Sequence, residues 1–262
     1  MRVGLEKNKI KDRLSEVCDG ASLPRVFFFS ECESTNDEAR KYTRRSKDSA
    51  IFIAARQTRG RGRRGRSFLS PEGGIYISFL SQGKTDKAPA QITAATAVKA
   101  AEAIEKYLGI RVDIKWVNDL YFKGKKLAGI LTEGEFDENG NLRYYVVGMG
   151  INVYKNLDFC RKMPIATTLE DAVGCTVDIN GLCSALIGAV LSDGCDGREA
   201  LEEYRSRCIT VGQRVLVKSE AEEYEAEALS VLDDYSLQIR LMTGEIRRVF
   251  SGEVIQLRRI EE

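Results

Sequence analysis

Arg59-Gly60-Arg61-Gly62-Arg63-Arg64-Gly65-Arg66 places five arginines within eight residues. No regular element holds such a run. Its three glycines weaken helix and strand alike, and the guanidinium charges repel one another unless an anion is present. The run sits between two apolar segments, Ile51 to Ala55 and Ile75 to Leu80, which read as buried strands. The chain must therefore carry a cationic, glycine-rich loop between two core strands. Glycine lets backbone N–H groups approach a ligand, and the planar fork of arginine suits phosphate or carboxylate. A solvated basic loop, or an RNA-binding arginine–glycine segment, is the alternative on this stretch alone. Against it, the run occurs once and has no interleaved aromatics.

Charge over the whole chain sharpens this. Lysine plus arginine total 40 and aspartate plus glutamate total 39, a net charge of +1. There is no global reason to bind DNA or a membrane, so any anion site is local. No apolar run of about 18 residues is present, and Met1 to Asp19 is charged throughout, unlike a signal peptide. The seven cysteines, at 18, 32, 160, 175, 183, 195 and 208, are odd in number and lack CxxC spacing. They read as reduced, mostly buried thiols of a cytoplasmic protein. The chain has no histidine. That excludes Ser-His-Asp and Cys-His nucleophilic catalysis and the common zinc sites. Chemistry must come from carboxylates, lysine, arginine or the substrate's own groups.

Periodicity predicts a helix over 5–17, a strand at Val26–Phe29, and a helix from about 34, where Thr35 and Glu38 stand at capping-box spacing. Pro89 to Leu108 is alanine-rich and closes at Gly109, a strong helix. Val112–Val117, Leu127–Glu133 and Tyr144–Val153 read as strands. Lys123-Gly124 and Asn139-Gly140 mark hairpin turns. Two helices follow at about 179–193 and 198–208. From Val211 the texture changes to five short strands separated by turn residues, a small barrel of about 50 residues. The expected fold is α/β (α+β): a mixed sheet backed by helices over 1–209, and a small C-terminal SH3-like β-barrel over 210–262.

Four further segments carry polar groups into strand ends. Lys115-Trp116-Val117-Asn118-Asp119 offers a cation, an amide and a carboxylate, suited to phosphate, ribose or magnesium, or else a core tryptophan with a polar exit. Lys126-Leu127-Ala128-Gly129 sets a lysine at the start of a buried strand, or at a hairpin tip. Gly148-Met149-Gly150-Ile151-Asn152 is a strand whose glycines could admit a ligand, although it is no dinucleotide fingerprint. Ser34-Thr35-Asn36 could cap a helix or bind a ligand there.

Taken in order, Ser34-Thr35-Asn36, Gln57 with the Gly60–Arg66 loop, Lys115-Trp116-x-Asn118-Asp119, Lys126-Leu127-Ala128-Gly129 and Gly148-x-Gly150-Ile151-Asn152 resemble the bacterial biotin protein ligases. The resemblance spans about 25–153 and continues weakly to the C-terminus through Gly252-Glu253-Val254 and Arg258. It implies that Ser34, Thr35, Asn36 and Gln57 hydrogen-bond the ureido ring of biotin. Gly60, Arg61, Gly62 and Arg63 would wrap its carboxylate and the α-phosphate of ATP, with Lys126 and Gly129 also at the biotin site. Arg63, Arg64, Arg66, Lys115, Asn118, Lys126, Asn152 and Arg258 would serve ATP, and Asp119 magnesium. Arg63, Lys115, Asp119 and Lys126 are then the catalytic set. Two departures stand out: Phe68 occupies a position that is often tryptophan, and the ending Glu253 to Arg258 is one residue longer than usual.

The implied reaction joins biotin to a lysine of a biotin carboxyl carrier domain, of acetyl-CoA carboxylase or a relative, by way of biotinyl-5'-AMP. ATP with Mg²⁺ is the co-substrate and no tightly bound cofactor is expected. Only 25 residues precede Val26, too few for a helix-turn-helix module, so a short form without the DNA-binding repressor domain is expected, as monomer or homodimer. The alternatives are a lipoate or octanoate ligase of related fold, and a non-catalytic biotin- or nucleic-acid-binding protein.

Overall fold

The computed structural model describes residues 4–17, 23–82, 85, 87–139, 142–156, 161–192, 197–218, 222–250 and 253–256. Arg258, Gly252, the Gly140-Asn141 turn centre, and Cys18, Cys160 and Cys195 lie outside the described residues.

Two sheets organise the chain. The larger has seven strands in the order β1-β2-β3-β7-β6-β5-β4. These are β1 (Arg25–Phe29), β2 (Ala50–Ala54), β3 (Gly74–Gln82), β4 (Asp113–Lys115), β5 (Asp119–Phe122), β6 (Lys125–Phe136) and β7 (Leu142–Asn152). β1 and β2 run parallel and every other pair is antiparallel, so the sheet is mixed. The helices are α1 (Lys7–Val17), α2 (Thr35–Thr43), α3 (Pro89–Leu108), α4 (Leu169–Val173), α5 (Ile179–Leu191) and α6 (Arg198–Arg207). The second sheet is antiparallel, in the order β11-β10-β9-β8-β12, from β8 (Arg214–Lys218), β9 (Glu223–Val231), β10 (Leu237–Leu241), β11 (Ile246–Val249) and β12 (Glu253–Gln256). No described helix is long and apolar enough to cross a membrane.

Alternation along the strands decides which face meets what. Ile51 and Ile53 of β2 and Val147, Met149 and Ile151 of β7 join the large core beneath α1, α3 and α5. Ala50 and Phe52 of β2 and Tyr144 and Val146 of β7 face the other way and pack with Ala39 of α2. Gly148, Gly150 and Asn152 continue that second face beyond the reach of α2. That stretch of β7 carries no apolar side chain on this face, and the ligand-type residues gather over it.

Two expectations need correction. The strand predicted over Val112–Val117 ends at Lys115, and the chain turns at once into β5, pairing Lys115 with Asp119. The reason is Trp116, whose backbone N–H donates to Thr210 Oγ1 and whose Nε1 donates to the carbonyl of Tyr235, drawing the chain toward the second sheet. The capping box of Thr35 and Glu38 does not form. Ser34 is the N-cap, one residue earlier, with no side-chain cap bond, and Glu38 pairs with Lys41 at 2.7 Å. Of the four described cysteines, Cys183 and Cys208 are buried, Cys32 is half-buried and Cys175 is exposed.

Candidate active site

A single row across the large sheet assembles the centre. Lys115 pairs with Asp119, Asp119 with Gly129, and Gly129 with Gly150. Four residues from four strands thus stand side by side on the face that α2 leaves open. The next row on that face runs Leu131, Gly148, Ser78. Above these rows is a cavity of about 310 Å³.

At one end the cavity is neutral and polar. Ser34, Thr35 and Asn36 form the first turn of α2 and are all buried. Gln57 Oε1 accepts from the Thr35 backbone N–H at 2.8 Å, and Gln57 Nε2 donates to Ser70 Oγ at 2.9 Å. The amide is therefore fixed with its oxygen toward α2. Ser78 Oγ lies 2.6 Å from Asn36 Oδ1 and 2.7 Å from Thr35 Oγ1. An amide oxygen only accepts, so the Ser78 hydroxyl donates to Asn36. Asn36 lies flat on Gly148, where a Cβ would come within 2.2 Å of its Oδ1. Gly150 likewise admits the ring of Phe68, which a Cβ there would meet at 2.5 Å. The two glycines make room for the protein's own side chains, and both also line the cavity.

The other end is cationic. Arg61, Arg63, Arg64, Arg66, Lys115 and Lys126 line the cavity, against Asp119 as the one lining carboxylate among the described residues. Lys126 Nζ is 2.7 Å from Asp119 Oδ1 and 5.9 Å from the centre of the Phe68 ring. Lys115 Nζ stands 5.6 Å over Tyr121. Burial lowers the Lys115 pKa, with Asp119 opposing and Lys126 adding to the fall. Burial likewise lowers that of Arg63, with Asp119 opposing. It pushes the Tyr121 phenol up to about 12, helped by the charge of Asp119. Low-dielectric surroundings of this sort strengthen the pull of each cation on an entering anion.

The loop is held by its own contacts. Gly60 O accepts from Phe68 N at 2.8 Å, and a Cβ on Gly60 would strike the Phe68 carbonyl at 2.4 Å, so glycine lets the two limbs close. Arg64 sits at φ 55°, in the left-handed region, and its Nη1 donates to the carbonyl of Lys218 in β8 at 2.6 Å. Arg63 Nη1 donates to Asn118 Oδ1 at 3.2 Å, while Asn118 Nδ2 donates to the Ile130 carbonyl. Arg61 is drawn away to Asp37 at 2.8 Å and Glu133 at 2.9 Å. Asn152 Nδ2 donates to the Thr167 carbonyl beside the segment that walls the far side.

Every sequence-predicted site residue within the described chain lines the cavity except Gly60, which shapes the loop behind it. Ser78, Glu133 and Tyr121 escaped the sequence reading. Ser78 had a signal, as a lone hydroxyl inside the apolar strand GIYISFL. Glu133 had only its parity with Gly129 and Leu131 along β6.

This geometry can now be set beside known proteins. The profile of the Biotin/lipoate A/B protein ligase family matches residues 29–152. The Bifunctional ligase/repressor BirA of Bacillus spizizenii is 31% identical over 219 residues, covering 79% of this chain and 66% of that protein. The chain belongs to the biotin/lipoate A/B protein ligase family. A second member of this ligase family, the Biotin--[acetyl-CoA-carboxylase] ligase of Mycobacterium tuberculosis, is 26% identical over 98% of both chains. Among solved structures, the biotin protein ligase from Aquifex aeolicus in complex with biotin and ATP superposes with a TM-score of 0.75. It covers 90% of this chain and all of that one, at 26% identity. The family match ends at Asn152, the last predicted site residue before the C-terminal strands.

Proposed function

We propose that the chain is an ATP-dependent biotin protein ligase, which forms biotinyl-5'-AMP and transfers biotin to a lysine of a biotin carboxyl carrier domain. One observation carries this reading. A single cavity is lined by an uncharged hydrogen-bonding cluster, with Arg61 beside it through Glu133, and by five further cations, Arg63, Arg64, Arg66, Lys115 and Lys126. The first suits a cyclic urea and the second a carboxylate beside a triphosphate. An acyl chain without a polar head would leave the remaining hydrogen-bonding capacity of this cluster, such as the second lone pair of Asn36 Oδ1, unused in a buried pocket, which costs binding.

The biotin carboxylate is ionised at neutral pH and needs no general base. One of its oxygens attacks the α-phosphorus of ATP, a new P–O bond forms, and the bond to pyrophosphate breaks. Carboxylate and triphosphate repel, so the main task is neutralisation and alignment. In this reading Arg63, Lys115 and Lys126 supply that neutralisation, and Arg64 and Arg66 help to hold the remaining phosphates. Magnesium enters as the ion of Mg·ATP and is part of the substrate. A resident metal cage does not fit. Among the described residues no three acidic, cysteine or histidine side chains gather, and Asp119 is already paired with Lys126. The carrier's neutral lysine amine then attacks the acyl carbon, an amide forms, AMP departs and the amine's proton passes to solvent.

Several finer points belong to the same reading. The five antiparallel strands of the second sheet form an SH3-like barrel, and the chain divides into 1–209 and 210–262. The carrier belongs to acetyl-CoA carboxylase or a relative, as the name of the mycobacterial protein suggests. The enzyme works in the cytoplasm as a monomer or homodimer. The deciding experiment is pyrophosphate release from Mg·ATP with biotin, lipoate, octanoate or no acid. Biotin-dependent release with biotinyl-AMP seen by mass spectrometry is expected. Release with lipoate or octanoate alone would move the chain to the other branch of its family.

A further inference from the structure

Glu133 lies outside the set of residues assigned above, yet it joins two parts of the site. Its Oε2 accepts from Asn36 Nδ2 at 2.7 Å and from Arg61 Nη2 at 2.9 Å. Its other oxygen takes the guanidinium of Arg40 on α2. The same Nη2 of Arg61 lies 2.8 Å from Asp37 Oδ1. The position is set by the strand: Glu133 shares a face of β6 with Gly129 and Leu131 and pairs with Val146, two residues along β7 from Gly148, on which Asn36 rests.

A carboxylate can only accept, so it dictates which end of the Asn36 amide faces it. Nδ2 must turn to Glu133, and Oδ1 must turn to Ser78 and the cavity. One lone pair of Oδ1 takes the Ser78 hydroxyl, and the other is left toward the cavity for an N–H donor. The same carboxylate oxygen tethers Arg61 of the arginine–glycine loop. We infer that Glu133 is a positioning residue that fixes Asn36 as a hydrogen-bond acceptor for a ring N–H and ties that choice to the placement of the Arg61 loop. The inference rests on the biotin reading for the identity of the ring. A neutral amide at 133 presents an N–H₂ group as well as an oxygen. It cannot accept from Asn36 and two guanidinium groups together, and Asn36 becomes free to reverse.

Glu133→Gln keeps the size of a side chain that is 27% exposed, so the fold is expected to survive. Its biotin KM should rise about tenfold or more, while kcat and the ATP KM stay within about threefold. Combined with Asn36→Ala, Glu133→Gln should add little beyond Asn36→Ala alone, since both remove the same acceptor. Additive effects, or a fall in kcat with the biotin KM unchanged, would overturn the assignment. A second readout needs no turnover. The Asn36 side-chain amide signal in ¹⁵N NMR, identified by its loss in Asn36→Ala, should shift in Glu133→Gln, and an unchanged signal overturns the proposal. Wild-type protein that releases no pyrophosphate with biotin would sink the ligase reading, while the amide signal still decides the positioning role.

Discussion

Lys126 and Arg63 show what a residue's type can and cannot announce. Both were legible as cations in glycine-containing motifs, but their partners were not. Lys126 is shared between Asp119 and the face of Phe68, and Arg63 reaches Asn118, 55 residues away. Held in this way, each is aligned before an anion arrives, which is where positioning gains its rate. Lys126→Ala removes the cation nearest Asp119, whose carboxylate then opposes an entering anion more strongly, and Arg63→Ala removes a half-buried guanidinium. Each should lower biotin-dependent pyrophosphate release at least tenfold, about 1.4 kcal/mol of barrier. Near-normal rates in both would refute the residue roles and leave the family membership standing. Ser78 and Glu133 mark the limit of legibility at this scale. A serine in an apolar strand and a glutamate near a strand end gain meaning only from Asn36, 42 and 97 residues distant.

At the scale of elements, alternation foretold most strands, and the glycines of β7 were legible as openings on one face. The sequence reading allowed that space to admit a ligand, because pattern alone cannot say which atom fills a gap. Asn36 and Phe68 fill it, each brought in by a different element. The consequence differs by position. In Gly148→Ala the new methyl would come within 2.2 Å of Asn36 Oδ1 and must displace it from Ser78. The biotin KM should rise about fivefold or more with the ATP KM unchanged, since only the neutral end is disturbed. In Gly150→Ala the methyl meets the Phe68 ring at 2.5 Å, and that ring lies over Lys126. Here kcat for adenylate formation should fall. Equal effects of the two variants on both KM values would mean that the cavity has no division into two ends. The end of β4 was mislocated for the opposite reason. Its apolar run continues to Val117, but Trp116 is claimed by the second sheet rather than by strand pairing.

For the whole molecule, the question is why a cavity-lining hairpin should depend on a sheet at the other end of the chain. The change of texture at Val211 was legible, and so was a separate run of short strands. Their docking was not, because it rests on a few long-range contacts. Trp116 Nε1 donates to the Tyr235 carbonyl at 2.8 Å, and Tyr204 donates to the Val117 carbonyl at 3.2 Å. Tyr204 also meets Tyr235 edge-on, with ring centres 5.3 Å apart. Arg64 adds a tie from the arginine–glycine loop to Lys218, and Val254 reaches the cavity wall. The hairpin bearing Lys115 and Asp119, the edge of the large sheet, is thus tied to the second sheet. Trp116→Phe keeps an aromatic body but removes the indole donor to the Tyr235 carbonyl. Loss of a hydrogen bond of this kind costs about 0.5–1.5 kcal/mol. For a chain of this size that lowers Tm by roughly 2–4 °C for each kcal/mol. If the second sheet served stability alone, the folded fraction at 25 °C would keep its ATP KM. Because the lost bond anchors the turn that carries Lys115 to Asp119, the ATP KM should rise severalfold while the biotin KM holds. Separating those outcomes requires only a thermal melt and two substrate titrations on the same variant.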